Sequence, residues 1–506
     1  MREIALMFKD WWNTFKEHIL RMKKPFIVLF LIYIIGICSI IRANYNYIDD
    51  LGRTAWGYLI WDDFARYITQ YLAILIHSDT AINDISPFPQ ILAAALNATS
   101  SLILIKVFTQ RFSWWCIVAV IPLGLSPFYL ECMAFKFDAP YMALSILGSV
   151  FPLLFVDAPL KLYFIVLSLG TIVMLMTYQA SFAIFIISLL FLEAKRWNKG
   201  KCSKDGARFV MCSGMLQICI ALIFKLFVVK EYYGYVSTDI GALHELPMII
   251  LYNIKEYIYT LWMSSSNSWK VMFLGVCIAT IINYVISSRR NKIKAFMVIT
   301  VLIVLCIIIS YGAFIILKKP LFTPRAFCAF GVFVAIMGIL SLSEKQNIIL
   351  GKVACCLLSW SLVVFALAYG NALAEQKRYE SFRIQMVLND VNSLPGLNKE
   401  NVRKMQLKGS TGYSPVIHRM AKRYPLLYLL VPLQMDSGLC FGEFYFFHYF
   451  ALPGVEQVPN WGENPRTIDD KLMPVFRDTA FHTIKADKKN IVVILKTGNN
   501  KYKSYN

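Results

Sequence analysis

Charged residues are scarce in this chain, and that scarcity excludes an ordinary water-soluble protein. Only 16% of the 506 residues are Asp, Glu, Lys or Arg, whereas 58% are hydrophobic. Soluble globular domains carry about 25% charged residues. Several apolar runs reach the roughly 18 residues that a helix needs to cross the hydrocarbon core of a bilayer. The composition therefore predicts a polytopic α-helical membrane protein.

Several kinds of site are also missing from the sequence. There are twelve cysteines but no CxxC pair and no spacing typical of a metal site, and most of the cysteines lie within apolar runs. There is no Walker A loop and no GxGxxG motif, which argues against a site for a soluble nucleotide. The positive charge follows the loops and forms no single basic face, so nucleic-acid binding is not expected.

About eleven apolar segments are interpreted as membrane spans. They are predicted at 25–43, 88–105, 113–130, 139–156, 161–176, 180–193, 208–229, 271–288, 295–317, 326–342 and 350–370. Lys and Arg are concentrated in the loops on the side of the N-terminus, which the positive-inside rule assigns to the cytoplasm. An odd number of spans then places the C-terminus on the opposite side, which is the periplasm for a bacterial inner membrane.

The sequence is thus divided into three parts. Residues 1–24 form a cytoplasmic N-terminal segment, residues 25–370 form a transmembrane domain whose first periplasmic loop is 44–87, and residues 371–506 form a periplasmic C-terminal domain. The C-terminal part is basic and is interrupted by prolines and glycines. Its run Asn490–Thr497 is typical of a β-strand. A small α+β domain is expected there.

The first predicted span is followed at once by NYNYIDDLGR, residues 44–53, which brings two carboxylates and an arginine to the membrane surface. One interpretation is a solvated loop. The other is a site for a sugar carried on a polyprenyl phosphate, since such a donor must meet its enzyme at this surface. Transfer needs a base for the acceptor hydroxyl and positive charge for the departing phosphate. Asp49 or Asp50 suits the first task, and the planar guanidinium of Arg53 suits the second.

Adjacent residues of a helix or an extended segment point in different directions. One of Asp49 and Asp50 is therefore expected to touch the acceptor, while the other orients the segment or holds a cation. Gly52 is interpreted as allowing a tight turn. A second acidic pair, Asp62 and Asp63, precedes an amphipathic stretch and is predicted to cap that helix and occupy its first turn. The helix is expected to lie flat on the membrane surface.

Other polar residues on the same predicted side are weaker candidates. Arg325 and Lys136 are expected to bind the donor phosphate. Additional candidates for the site are Glu131, Asp138, Arg66 and Lys319. Lysines at such positions are often only anchors at the membrane interface. His448 lies in an aromatic stretch with two interpretations. The stretch is either part of a domain core or membrane contact, or it is a platform on which a sugar stacks.

Three phrases that follow the first span resemble the start of the type II Gtr family: YNYIDDLGRTAWGY, WDDFARYITQYLA and DISPFPQILA. This family contains serotype-converting glucosyltransferases carried by phages of enteric bacteria. The resemblance is strong over residues 44–95 and continues as a similar plan of spans to about residue 370. It implies a GT-C-like fold with the active site on the periplasmic side. It also implies an acidic residue in the first periplasmic loop, which maps onto Asp49 and Asp50.

The resemblance further implies the substrates and partners. The donor is expected to be undecaprenyl phosphate glucose, and the acceptor the O-antigen repeat of lipopolysaccharide on its lipid carrier. A glucosyl-lipid synthase and a flippase are expected as pathway partners. No cofactor and no metal site are expected, and a need for a divalent cation stays open. Transfer by a single displacement with inversion is expected. The alternatives are an O-antigen polymerase or ligase, or a flippase, although no inverted repeat typical of transporters is evident.

Overall fold

The fold consists of two compact units. The computed structural model describes residues 22–109, 112–201, 203–229, 239–342, 349–398, 400–436, 445–458 and 467–497, so the predicted segment 1–24 lies almost wholly outside the described residues. Unit 1 contains Met1–Ile41, Leu59–Asp79 and Ile85–Ala368, and unit 2 contains Arg42–Tyr58, Thr80–Asp84 and Tyr369–Asn506. The predicted first loop is therefore divided between the units, and its acidic stretch belongs to the same unit as the C-terminal region.

The helices of the protein follow the apolar runs of the sequence. Seven described helices are long and apolar enough to cross a membrane: Lys23–Ala43, Phe88–Phe108, Asp205–Phe227, Asn267–Ile286, Lys292–Ile309, Pro324–Leu342 and Ile349–Asn392. Four further predicted spans coincide with shorter helices: Trp114–Leu125, Ala139–Val150, Leu160–Leu175 and Phe182–Asn198. A 3-10 turn at Gln179–Ser181 separates the last two of these and confirms the predicted TYQAS turn. A multi-pass membrane protein is supported, whereas the count of eleven spans stays a prediction.

The remaining elements of unit 1 are shorter or less apolar. Helices occupy Tyr67–His77, Leu130–Ala134 and Leu246–Ser264, and 3-10 turns occupy Asp62–Phe64, Phe151–Phe155 and Gly312–Ile316. The first turn of the span Pro324–Leu342, at Pro324–Phe327, is also a 3-10 turn. The predicted capping role of Asp62 and Asp63 is wrong. Both residues lie in their own 3-10 turn, which ends where Ala65 adopts a left-handed conformation, and Arg66 occupies the N-cap position of the following helix.

Small residues allow the helices of unit 1 to approach each other closely. The buried helix Cys328–Leu342 packs against Trp114–Leu125. A Cβ added at Gly331 would lie 2.8 Å from the carbonyl oxygen of Pro122. Between helices in lipid, van der Waals contact supplies much of the attraction, so small residues are favoured where backbones meet. A larger side chain at Gly331 would force these two helices apart.

Unit 2 contains a mixed five-stranded sheet with the strand order β2-β1-β5-β4-β3. The strands are β1 (Arg403–Gly409), β2 (Val455–Gln457), β3 (Val475–Asp478), β4 (His482–Ala486) and β5 (Asn490–Leu495). Strand β1 is parallel to β2 and β5, whereas β3, β4 and β5 are antiparallel. Short helical elements at Pro415–Ala421, Leu427–Leu430 and Tyr445–Tyr449 complete the described part. Strand β5 confirms the strand predicted within Asn490–Thr497.

The helix Ile349–Asn392 belongs to unit 1 up to Ala368 and to unit 2 from Tyr369. Its 44 residues extend for about 66 Å, roughly twice the thickness of the hydrocarbon core of a bilayer. The first half is largely apolar, and charged residues become frequent from Glu375 onward, so only the first half can lie within a membrane. Apolar residues of the second half pack against buried residues of β1 and β5. The second half is therefore the helical layer of unit 2.

Candidate active site

The acidic stretch folds as a short helix, Asp49–Trp56, which is called the acidic helix below. Its start is held by Asp50, whose Oδ2 accepts a hydrogen bond from the backbone N–H of Tyr47 at 3.0 Å. Acidic residues are favoured in a first turn because the N–H groups and the dipole there attract negative charge. The helix ends at Gly57, which has a φ of +66° and donates its N–H to the carbonyl oxygen of Arg53. The acidic helix thus begins with the carboxylate pair and ends one turn beyond the arginine.

Gly52 does not form the predicted tight turn, and that prediction is wrong. It lies within the acidic helix, where an added Cβ would come within 2.8 Å of the hydroxyl oxygen of Tyr58 and 3.0 Å of its Cε1. The Tyr58 hydroxyl donates to the carbonyl oxygen of Asp49 at 3.4 Å. The guanidinium carbon of Arg53 lies 5.8 Å from the centre of the same ring, within the range of a cation–π contact. Gly52 therefore makes room for the Tyr58 side chain, which contacts the acidic helix at Asp49 and at Arg53.

The two carboxylates have different environments. Asp50 is fully buried, whereas Asp49 is partly exposed. Successive residues on a helix are rotated by about 100°, so the two side chains face different surroundings. Arg53 is 3% exposed and follows the pair by three and four residues, the spacing at which side chains on one helix meet. The geometry separates an accessible carboxylate at Asp49 from a buried carboxylate at Asp50 that holds the start of the helix.

The residues before the acidic helix are anchored within unit 2. The Tyr45 hydroxyl donates to Oε2 of Glu380 at 3.0 Å. The side-chain amide of Gln434 donates to the carbonyl oxygen of Asn46. The Tyr47 hydroxyl donates to a main-chain carbonyl oxygen of the C-terminal region at 2.9 Å. Three consecutive residues are therefore hydrogen-bonded to the C-terminal region, just before the acidic helix begins.

In unit 1, Glu131 and Arg325 form an ion pair whose carboxylate is buried and whose guanidinium is partly exposed. The Glu131 carboxylate accepts from the backbone N–H of Arg325 at 2.7 Å and lies 3.3 Å from its Nη1. The Glu131 side chain is 2% exposed and that of Arg325 is 21% exposed. The guanidinium carbon also lies 5.0 Å from the centre of the Phe135 ring. Arg325, a predicted phosphate ligand, is thus oriented by a carboxylate and an aromatic face.

Asp138 and Lys136 are also buried in unit 1. The Asp138 carboxylate accepts a hydrogen bond from Nε1 of Trp61 at 2.6 Å. The Trp61 ring lies edge-on to that of Tyr141, with the ring centres 5.7 Å apart. Burying a charged group is costly unless it is paired or hydrogen-bonded. The loop that precedes Ala139–Val150 therefore carries buried charged side chains inside unit 1, and at least one of them is hydrogen-bonded.

The other predicted site residues of unit 1 have looser surroundings. The guanidinium carbon of Arg66 lies 5.1 Å from the centre of the Tyr178 ring, and its Nε donates to Oε1 of Gln179 at 3.4 Å. Lys319 is exposed, as expected of an interface anchor.

The nine predicted site residues fall into two groups, one in each unit. Unit 2 holds Asp49, Asp50 and Arg53, and unit 1 holds Arg66, Glu131, Lys136, Asp138, Lys319 and Arg325.

The aromatic stretch around His448 has two kinds of surroundings in unit 2. Phe446 is buried in the core, whereas His448 and Tyr449 are exposed. The His448 ring centre lies 4.4 Å from that of Trp56, the last residue of the acidic helix. The first part of the stretch, 441–444, lies outside the described residues.

Within the part of the chain that the structure describes, no group of three or more His, Cys, Asp or Glu side chains could hold a metal ion.

Comparison with known proteins identifies the family. The family described as "Glucosyl transferase GtrII" matches residues 38–336. This range covers more than half of the chain and contains all nine predicted site residues. The chain belongs to the GtrII glucosyl transferase family. It is therefore a glycosyltransferase, and the resemblance to the type II Gtr enzymes is confirmed.

A relative of this GtrII protein occurs in Salmonella phage P22. It is named "Uncharacterized 55.3 kDa protein in gtrB 5'region" and is 23% identical over 438 residues, which are 83% of this chain and 88% of that protein. No solved structure matches the GtrII chain. The similarity extends well beyond the phrases quoted above, because the aligned part includes most of both chains.

Sequence analysis missed two residues of the GtrII protein that contact predicted site residues or the segment next to them. Trp61 binds Asp138, and Glu380 binds Tyr45. A signal for Trp61 was present, since it is the first residue of the phrase WDDFARYITQYLA. No signal pointed to Glu380, which lies in a charged run typical of a solvated helix and beyond the GtrII match.

Proposed function

We propose that this GtrII transferase moves glucose from undecaprenyl phosphate glucose to a sugar of the O-antigen repeat, while the repeat is on its lipid carrier. The reaction occurs on the periplasmic side of a bacterial inner membrane and converts the serotype. The transmembrane domain is GT-C-like, with the N-terminus in the cytoplasm and the C-terminus in the periplasm. The observation that carries this proposal is the acidic helix, which begins with two carboxylates six residues after the helix Lys23–Ala43 ends.

Asp49 is the proposed base. Its side chain is partly exposed, so an acceptor hydroxyl can reach the carboxylate. Asp49 takes the hydroxyl proton while the acceptor oxygen forms a bond to the anomeric carbon of glucose. The bond between that carbon and the phosphate oxygen breaks, its electron pair stays on the phosphate, and undecaprenyl phosphate leaves. A positioned base typically contributes about 10² to 10⁴-fold to such a reaction.

The stereochemical outcome follows from the single base. One displacement without a covalent sugar–enzyme intermediate inverts the anomeric carbon, by analogy with inverting glycosidases. The expected donor linkage is β, so the product linkage is α. Retention of configuration in the product would contradict this part of the proposal.

Arg53 and Asp50 support the reaction in different ways. Arg53 lies one helical turn after the carboxylate pair and supplies positive charge that favours the developing charge on the phosphate. Asp50 holds the start of the acidic helix through its contact with the N–H of Tyr47. Asp50 therefore orients the helix and does not itself accept the acceptor proton. Arg325 and Lys136 stay candidates for a phosphate ligand in unit 1.

The proposal includes pathway partners and a role for the C-terminal region. A glucosyl-lipid synthase and a flippase supply the donor. The C-terminal region of unit 2 helps to recognise the acceptor, because it holds the residues that lead into the acidic helix. The requirement for a divalent cation is tested by measuring transfer with and without EDTA.

The test compares glucose transfer to O-antigen in cells that supply the donor pathway, at matched levels of protein in the membrane. Asp49→Asn is expected to lower transfer by about 10²-fold or more, because the base is lost. Asp50→Asn is expected to keep measurable transfer, since the amide oxygen can still accept from the N–H of Tyr47. Asp62→Asn is the matched control, because it removes another carboxylate of the predicted first loop, one that lies in a separate 3-10 turn of unit 1. This control is expected to keep wild-type transfer.

Near-normal transfer by both Asp49→Asn and Asp50→Asn would exclude the acidic helix as the source of the base. The search would then move to Glu131 and Asp138. The flippase alternative is tested with purified protein, donor and lipid-linked acceptor. Release of undecaprenyl phosphate together with a glucosylated acceptor supports transfer, whereas movement of intact donor without its consumption supports a flippase.

A further inference from the structure

A buried carboxylate in unit 2, that of Glu380, is a point where several hydrogen bonds meet. Glu380 lies on the second half of the helix Ile349–Asn392, beyond its apolar part, and is 2% exposed. Its Oε2 accepts from the Tyr45 hydroxyl at 3.0 Å. Its Oε1 accepts from Nε2 of Gln376 at 3.0 Å and from the backbone N–H of Gln434 at 3.1 Å. Three donors from three parts of unit 2 therefore converge on one carboxylate.

The hydrogen bonds continue from Glu380 to the acidic pair. Gln434, whose backbone contacts Glu380, donates its side-chain amide to the carbonyl oxygen of Asn46. The next residue, Tyr47, donates its backbone N–H to the Asp50 carboxylate at 3.0 Å. Contacts from Glu380 thus reach two consecutive residues, 45 and 46, that precede the start of the acidic helix.

We infer that Glu380 is a positioning residue for glucose transfer, which holds residues 45–47 in place and so fixes the acidic helix that presents Asp49. The inference rests on the proposed function, in which Asp49 is the base. A displacement of about 1 Å at a reacting group can cost about 10²-fold in rate. Loss of Glu380 is therefore expected to slow the chemical step although Glu380 itself touches no substrate.

The Glu380 cluster can keep its geometry in both protonation states of the carboxyl group. Burial raises the pKa of Glu380 to about 7. The titratable groups that face it from other elements are the phenols of Tyr45, Tyr413 and Tyr445, and burial raises the pKa of each, so they stay neutral. When Glu380 is protonated, the Tyr45 hydroxyl can accept from it and donate to the carbonyl oxygen of Pro432, 3.2 Å away. Gln, a neutral residue of the same shape, can therefore replace Glu380.

The test uses the purified full-length protein and two readouts, steady-state kinetics and amide hydrogen exchange. Glu380→Ala is expected to lower kcat by about 10²-fold and to change the KM for the glucosyl lipid by less than about threefold. It is also expected to speed exchange at the amides of Tyr47 and Asp50. Glu380→Gln is expected to restore both readouts. Tyr45→Phe, which removes one hydroxyl, is expected to cause an intermediate loss of kcat.

Asp470→Asn is the matched control. Asp470 contacts Lys408 at 2.6 Å and Lys485 at 3.0 Å on the sheet of unit 2. Its neutralisation weakens the same unit at contacts that do not involve residues 45–47. This control is expected to keep wild-type kcat and wild-type exchange across residues 45–53.

The inference is overturned if folded Glu380→Ala and Tyr45→Phe keep wild-type kcat and wild-type exchange. It is also overturned if Asp470→Asn lowers kcat as much as Glu380→Ala, because the general stability of unit 2 would then explain both. If Glu380→Ala does not fold, Tyr45→Phe decides, and wild-type kcat in that variant rejects the inference. Failure of the proposed function is distinguishable, because Asp49→Asn would then keep transfer whatever the Glu380 variants do.

Discussion

The indole nitrogen of Trp61 lies 2.6 Å from Oδ1 of Asp138, and both side chains are almost completely buried. The hydrogen bond between Trp61 and Asp138 joins two parts of unit 1. Trp61 directly precedes the 3-10 turn Asp62–Phe64, and Asp138 directly precedes the helix Ala139–Val150. The energetic importance of this hydrogen bond follows from the burial of the carboxylate, because a hydrogen bond lost inside the protein is not readily replaced by one to water.

Trp61→Phe is expected to lower the free energy of unfolding by about 1–3 kcal/mol, because a buried acceptor loses one of its hydrogen bonds. Denaturant titration of the detergent-solubilised full-length protein measures this change. Trp360→Phe is the matched control, since the Trp360 side chain is 69% exposed. The control is expected to change the free energy by no more than about 0.5 kcal/mol. Equal losses in the two variants would show that the bond to Asp138 contributes nothing specific.

The Glu131–Arg325 pair predicts strongly non-additive effects. Arg325→Ala removes one cation from the 2%-exposed Glu131 carboxylate, and the cost of about 3–5 kcal/mol for breaking a fully buried pair is the upper bound of the expected loss. Glu131→Ala is expected to cost less, because the Arg325 side chain has some access to solvent. The double variant is expected to be more stable than Arg325→Ala alone. A double-mutant cycle on the free energy of unfolding tests this, and additivity within about 0.5 kcal/mol would contradict it.

The long helices, which runs of consecutive apolar residues encode, were predicted correctly. The order of the first span and the acidic stretch indicated a candidate site, which stays a prediction. The contacts that organise that site could not be predicted, because they join residues far apart in the chain. Trp61 and Asp138 are separated by 77 positions, and Tyr45 and Glu380 by 335. No helical or strand period relates residues at such distances.

The two local errors have a common cause. Gly52 was interpreted from the flexibility of glycine, and Asp62 from the preference of Asp for helix starts. In the structure, Gly52 is needed because Tyr58 packs against it, and Asp62 lies in a separate turn because Ala65 is left-handed. Both outcomes depend on neighbouring elements, and residue preferences alone do not contain that information.

Gly52→Ala is expected to lower glucose transfer several-fold without unfolding the acidic helix. Alanine favours a helix over glycine by about 1 kcal/mol, but its Cβ displaces the Tyr58 ring from its contacts with Asp49 and Arg53. The same substitution in a Tyr58→Ala background is expected to have no further effect on transfer. Transfer assays on the four proteins of this cycle provide the measurement. An equal loss in both backgrounds would mean that the added methyl group acts on something other than Tyr58.

Glu380 makes the stability of unit 2 depend on pH, and the direction of this dependence follows from its raised pKa. Burial raises its pKa from the usual 4.5 to about 7, so between these values the folded protein holds a proton that the unfolded chain has released. The contribution of the neutral carboxyl group is fully present below about pH 4.5. It is lost as the pH rises to 7, and the total loss is about 3 kcal/mol. Unit 2 is therefore expected to become less stable as the pH rises through this interval.

Comparison of the wild type with Glu380→Gln isolates this contribution, because Gln has no proton to lose. Other groups titrate equally in both proteins, including His482, whose pKa is lowered by burial. The free energy of opening of the β5 amides, from hydrogen exchange corrected for the intrinsic rate, is measured at pH 5.5 and pH 8. The advantage of Glu380→Gln over the wild type is expected to grow by about 2 kcal/mol between these values. A constant difference would mean that Glu380 does not change its charge in this range, and a shrinking difference would mean that its carboxylate form is the one that unit 2 stabilises.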